Sequence, residues 1–358
     1  MSIDATAVTA PTVRHPVAAR RTLRLALGVS LSLGFSQLIG WQLSFIAPVL
    51  TSVILSLPMP AMRFRQGLGF IIALLAPMIA GIALIPFLMH ARWVGILLLT
   101  LGLFYSFYYT ARGGAAVIGT FMTIGLTLVV TIGSVNNEIL TTLIQALAIN
   151  AAVGVSFVWI AHALLPDFPP DPAAAGMQKP KPQKPDLREA RLHAFRALLV
   201  VLPIALLFLF MSGSPAYTAV MIKVASMGQQ ASADKSAGMG TSLLASTFWG
   251  GAGALLVWTF LEAWPSLLFF TLLVGLAGLF YGSRIFHGPA VHPRFSMWSY
   301  ALTTMLIILG PAVLDTPGSG GASAAIWSRL WLFIIIAFYG TAAVAVFNAF
   351  WPGKKGSA

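Results

Sequence analysis

The sequence predicts an all-α integral membrane protein of about twelve transmembrane helices, arranged as two six-helix repeats of the same orientation with both termini in the cytoplasm. Three observations point there. Of the 358 residues, 58% are hydrophobic and only 8% charged, against about 25% charged in an average soluble domain. Apolar segments of near-spanning length recur along the whole chain. The basic residues fall almost entirely between alternate segments, as the positive-inside rule requires. With a mean hydropathy of +0.88, the solvent for most of this chain is lipid, which excludes a soluble enzyme.

A helix crosses the hydrocarbon core with roughly 20 apolar residues. The first 20 residues are polar, contain Pro11 and Pro16, and lack the apolar core of a cleavable signal peptide, so the first apolar stretch is expected to stay as an anchor. Candidate spans in the first half cover 23–40, 42–57, 67–89, 93–110, 114–133 and 139–165; those in the second cover 192–211, 215–228, 237–261, 265–282, 296–314 and 325–350. The second and eighth are short for a full crossing and read as tilted, broken or partly re-entrant, which is tolerated only where the backbone faces protein or water. The chain therefore divides into an N-terminal tail (1–22), a first repeat (23–166), a Pro/Lys-rich cytoplasmic linker (167–191), a second repeat (192–352) and a C-terminal tail (353–358). The linker, DFPPDPAAAGMQKPKPQKPDLREAR, is too short for a folded domain and reads as a solvated tether.

Charge supports this layout. With the N-terminus inside, all 21 basic residues except Arg92 and Arg329 fall in cytoplasmic segments or at inner span ends. This explains most of the net charge of +12 without nucleic acid. Trp41, Trp93, Trp264 and Trp327 lie near predicted outer ends, and Trp159, Trp298 and Trp351 near inner ends, as aromatic belts would place them. An offset of 171 residues aligns Arg20 with Arg191, Ala26-Leu27 with Ala197-Leu198, Gly67-Leu-Gly69 with Gly238-Met-Gly240, Trp93 with Trp264 and Thr100-Leu101 with Thr271-Leu272. Six spans per copy is an even number, so the copies share an orientation about an axis along the membrane normal, and a pathway is expected between them.

Polar chemistry inside the spans is sparse. Lys223, in the short eighth span, either lines an anion path or snorkels its amine to the inner headgroups. Arg24 and Arg196, at the inner ends of the first span of each half, either draw an anion to an inner mouth or serve only as topogenic charge. Gln229 and Gln230 could bind a polar ligand or lie in a solvated loop. Arg63, Arg65 and the Asp234-Lys235 pair occupy equivalent inner loops, ahead of glycine pairs that would let spans three and nine approach a neighbour closely. Glu138, Glu262 and Asp315 fall near outer boundaries, and Asp167 and Asp234 near inner ones, so no mid-span carboxylate relay is visible. Proton coupling would then use a boundary acid, His193 or Lys223 itself.

Enzymatic signals are weak. His162 and Asp167 have the H-x-x-x-x-D spacing of some acyltransferases, but Pro166 intervenes and no phosphate-binding arginine motif follows. His287 and His292 form a pair too small for a metal site, no Walker A pattern is present, and the absence of cysteine excludes disulfides, a thiolate nucleophile and Cys-ligated metal. No enzyme activity and no cofactor are expected.

The basic opening span RRTLRLALGVSLSLGFS (20–36), LLPDFP (164–169) closing the first half and FWPG (350–353) closing the second together resemble the fusaric acid resistance and aromatic acid exporter superfamily over about residues 14–353. The resemblance implies a bacterial inner-membrane efflux permease for aromatic carboxylic acids or related toxic compounds. It implies drive by the proton gradient and work with a periplasmic membrane fusion protein and an outer-membrane channel. Plant aluminium-activated malate channels look like distant relatives, with basic residues along an anion path between two subunits; Lys223, Arg24 and Arg196 would be the counterparts here. Long members carry a sizeable cytosolic domain, where this chain has only its short linker. The expected partners are thus the lipid bilayer, a small organic anion, the fusion protein with its channel, and further copies of the chain. An uncoupled organic-anion channel and a scaffold for a fusion protein are the competing readings.

Overall fold

Backbone N–H and C=O groups surrounded by lipid find partners only within their own helix, so each long apolar run folds as one. The computed structural model describes residues 16–133, 137–168, 186–210, 218–233, 239–287, 290–314 and 321–350. Most of the linker, Asp234, Lys235 and the last three residues of FWPG lie outside the described residues. The helices are α1 (Pro16–Ile39), α2 (Ile46–Leu55), α3 (Phe64–His90), α4 (Arg92–Ala111), α5 (Ala116–Ile124) continuing through a π-helical stretch (Gly125–Val129) into α6 (Val130–Gly133), α7 (Asn137–Leu164), α8 (Leu187–Phe210), α9 (Thr218–Ala233), α10 (Met239–Ala263), α11 (Leu267–Ile285), α12 (Phe295–Leu314) and α13 (Gly321–Phe350). A two-residue antiparallel ladder pairs Phe286 with Val291 and His287 with Ala290.

The protein is all-α in architecture and a multi-pass membrane protein. Among the described residues, nine helices are long and apolar enough to cross a bilayer: α1, α3, α4, α7, α8, α10, α11, α12 and α13. The other three predicted spans fall short. The fifth is interrupted by its π stretch, leaving an apolar run of Ala116–Val129. The second begins at Ile46 rather than near 42, because Gly40 (φ 74°) and Leu43 (φ 56°) turn the chain after α1. At about 1.5 Å per residue, the 10 residues of α2 and the 16 of α9 cover about 15 and 24 Å, less than a hydrocarbon core.

These two short helices form the centre of the bundle. Every residue of α2 except Val53 is buried, and so is every residue of α9 from 219 to 232. A helix covered on all sides must be wrapped by others. α2 packs on α1, α7 and α12, and α9 on α8, α5, α4, α12 and α13. The outer helices also pair across the two halves of the chain: α1 lies along α11, and α4 along α8. By contrast α3 buries only Gly67, Leu74, Met78, Gly81 and Leu88 and otherwise faces outward.

Close approach is set by small residues. On α11, a Cβ added at Gly278 would stand 2.8 Å from the Ala26 backbone of α1, and one at Gly282 2.9 Å from Thr22. The expectation for the Gly-x-Gly pairs holds for one member of each. Gly67 lies under the Trp159 ring and Gly240 against Thr341, but Gly69 faces open space and Gly238 lies outside the described residues. Of the tryptophans, Trp93 and Trp264 are 80% and 70% exposed, as interfacial residues should be. Trp298 departs from the belt expectation: it is buried against Trp249, Phe280 and Tyr281, because α10, α11 and α12 converge there.

Gly278→Val should overpack the α1–α11 contact and destabilise the protein by about 1–3 kcal/mol. Gly69→Ala, directed into open space, should cost nothing. Thermal unfolding of the two variants in the same detergent checks the contrast.

Candidate functional site

Lys223 lies on central helix α9, and its side chain is among the largest fully buried ones in the molecule. It is 1% exposed, so the amine ends inside the protein rather than at a headgroup boundary. The amine therefore does not snorkel. Its Nζ donates to Thr304 Oγ1 of α12 at 2.7 Å, and Thr304 in turn donates to the Tyr300 carbonyl at 2.7 Å. Thr304 is free to accept because its own proton is engaged one turn back, as helical threonines commonly arrange. Among the described residues no carboxylate pairs with Lys223. The amine points into the second half of the chain, towards α12, rather than straight at the opposite half.

Gln229 and Gln230 are helical and buried, not part of a solvated loop. Gln229 reaches the first half of the chain. Its Nε2 donates to Thr123 Oγ1 of α5 at 3.0 Å and to Ser106 Oγ of α4 at 3.3 Å, while its Oε1 accepts from Thr110 Oγ1 at 2.6 Å. Ser106 also donates to the Gly119 carbonyl at 3.0 Å. Gly119 leaves room for this cluster, since a Cβ there would collide with Thr110 Oγ1 and Gln229 Oε1. All of Gln229's polar atoms are thus engaged in joining α9 to α4 and α5. Gln230 differs: it is 1% exposed, and neither its Nε2 nor its Oε1 has a hydrogen-bond partner among the described residues.

Arg20, Arg24 and Arg196 are tied to helix ends. Arg24 donates through Nε and Nη2 to the Leu165 carbonyl, at 3.0 and 2.7 Å, and pairs with Asp167 at 2.7 Å. Arg20 donates to the Pro166 carbonyl at 2.7 Å and lies 3.9 Å over the Phe168 ring. The opening span therefore clasps the LLPDF segment that closes the first half, and its bidentate guanidinium chemistry is directed at exposed helix-end carbonyls. Asp167, held by Arg24, is not paired with His162, whose Nδ1 lies 2.9 Å from the Val158 carbonyl. Arg196 is buried and donates to the Ala231 carbonyl at the end of α9 at 2.7 Å. Arg63 and Arg65 are exposed at the start of α3, where the Arg63 N–H is capped by Gln66. His193 is half-buried on α8. The side-chain hydrogen bonds of Lys223 and Gln229 run to Thr304, Ser106, Thr110 and Thr123, and Arg63, Arg65 and His193 are not among their partners. Asp234 and Lys235 lie outside the described residues. His287 and His292 stack edge to face at 6.0 Å, with His292 Nδ1 accepting the Arg294 N–H.

The partners Thr304, Ser106, Thr110 and Thr123 had no sequence signature. Hydroxyls in apolar helices usually bond their own i−4 carbonyl, so nothing local marks the few that also serve another helix.

The fold and this buried polar centre define a multi-pass helical membrane protein. A family described as a protein of unknown function (DUF2955) has a model that matches residues 21–161, a stretch that begins in α1 and ends in α7. No curated protein and no solved structure matches the chain.

Because three hydroxyls depend on one amide, Gln229→Leu should destabilise the protein by about 1–3 kcal/mol, the range for stranding buried hydrogen-bonding groups. A lowered midpoint of thermal unfolding relative to the parent protein is the expected result.

Proposed function

We propose that the protein is a bacterial inner-membrane efflux permease for small organic anions, aromatic carboxylic acids among them. Lys223 carries this reading: a lysine buried on a central helix, held by one neutral hydroxyl and no described carboxylate. An intramembrane cation without a counter-ion is costly and is retained where a ligand or a water path supplies the missing partner. An organic anion entering between α9 and α12 would place its carboxylate on Nζ and its apolar body among the surrounding side chains. The side chain is sealed from solvent in this conformation, so the reading requires alternating access to open it from one side at a time.

The partner exchange between halves supports two like-oriented repeats, and the basic residues at the predicted inner span ends support cytoplasmic termini. α1 lies on α11 while α8 lies on α4, and α2 meets α12 while α9 meets α5. That reciprocity is what a two-fold axis along the membrane normal would generate. In this reading Arg24 and Arg196 hold the scaffold rather than the substrate. A periplasmic fusion protein with its outer-membrane channel remains the proposed partner.

One observation favours an uncoupled anion channel as the second reading: Asp167, Asp186, Glu189 and Glu262 are all exposed, and no described carboxylate is buried in the bundle to relay protons. Reconstituted flux of a labelled aromatic acid, measured with and without an imposed proton gradient, separates the two, since a channel follows the anion's own electrochemical gradient alone. Lys223→Met should abolish that flux, at unchanged protein content of the vesicles, in either case. Undiminished flux in Lys223→Met would remove the anion-binding role of this residue.

A further inference from the structure

Two adjacent glutamines of α9 have opposite environments. Gln229 is fully bonded to α4 and α5. Gln230 is rotated by about 100° from it on the helix and keeps both amide atoms unpartnered, although the residue is 1% exposed. More than nine in ten buried polar groups in folded proteins have partners, so such a group calls for an explanation. Gln230 stands seven residues after Lys223, which is two helical turns, so both lie on the same side of α9 with about 10 Å between their backbone positions. The two therefore mark the ends of one strip of a central helix: an ammonium at one end and an unused amide at the other. The amide offers both a donor and an acceptor.

We infer that Gln230 is the second polar contact of the anion received by Lys223, and that the transported species is an elongated, bifunctional anion. Its negative group sits at one end, and a hydrogen-bonding group able both to donate and to accept, such as a hydroxyl, sits at the other. This rests on the reading of Lys223 as the anion contact. It adds a length and a second chemical requirement to the ligand. A site built to bond a distal hydroxyl rejects the analogue that lacks it, because the buried amide is then left unpaired in the complex.

The test uses the full chain in lipid nanodiscs and two probes identical except at the far end, biphenyl-4-carboxylate and 4′-hydroxybiphenyl-4-carboxylate, titrated calorimetrically. The parent protein should bind the hydroxylated probe about tenfold more tightly, the preference that one net hydrogen bond of ordinary strength supplies. Gln230→Leu should weaken only the hydroxylated probe and bring the two affinities within about twofold, and Lys223→Met should lose both. A readout without ligand runs in parallel: Gln230→Leu should unfold at or above the parent temperature, since it removes an unpaired amide, while Gln229→Leu unfolds below it. The inference is overturned by equal affinities in the parent protein, by no binding of either probe, by a preference that survives Gln230→Leu, or by Gln230→Leu melting as low as Gln229→Leu. Binding of both probes by Lys223→Met instead overturns the Lys223 reading, whatever Gln230 does.

Discussion

Two helices too short to cross a bilayer can exist in it only if other protein covers them completely, and that requirement organises the rest of the molecule. α2 and α9 have no lipid-facing side. Each must therefore be surrounded by helices drawn from both halves of the chain, and the long helices pair across the halves as they close around them. The polar residues of α9 follow from the same requirement. Hydroxyls and amides placed where neither lipid nor bulk water competes become strong, specific joints, and Gln229 makes three such bonds to the opposite half.

The charged groups divide along the same line. At the helix ends, arginines have carbonyls and a carboxylate to bind: Arg20 and Arg24 hold the exit of α7, and Arg196 holds the end of α9. Helix ends need donors, and guanidinium groups supply several at once in a fixed fork. Deep in the bundle, Lys223 has one hydroxyl. This difference in partnering, rather than charge alone, separates residues that hold the fold from the residue proposed to meet a ligand.

Much of the helical layout was legible in the sequence, because a lipid-facing run of apolar residues reports its surroundings one residue at a time. Among the described residues the twelve predicted segments fall on helices, nine of them long enough to span; the two expected to be short are short, and the fifth, interrupted by its π stretch, is short as well. What the sequence concealed depends on distant neighbours. The chain reversal at Gly40 and Leu43 shifted the start of α2. The tryptophan at 298 lies near a span end, as a belt residue does, but three helices meet over it. Arg24 read either as a lure for anions or as topogenic charge, and its actual partners, Leu165 and Asp167, lie 141 and 143 residues away. Most plainly, Gln229 and Gln230 cannot be told apart by composition or position. Their environments diverge because one azimuth of α9 faces Ser106, 123 residues away, and the next does not. Such differences are three-dimensional and leave no periodic trace.

On the α1–α11 flank, α11 presents Gly275, Gly278 and Gly282 to α1, with Gly278 against the Ala26 backbone and Gly282 against Thr22. Three positions without a Cβ leave only backbone for α1 to meet there. A relative sliding of the halves, as the proposed transport cycle requires, would have no side chain of α11 to ride over at those three points.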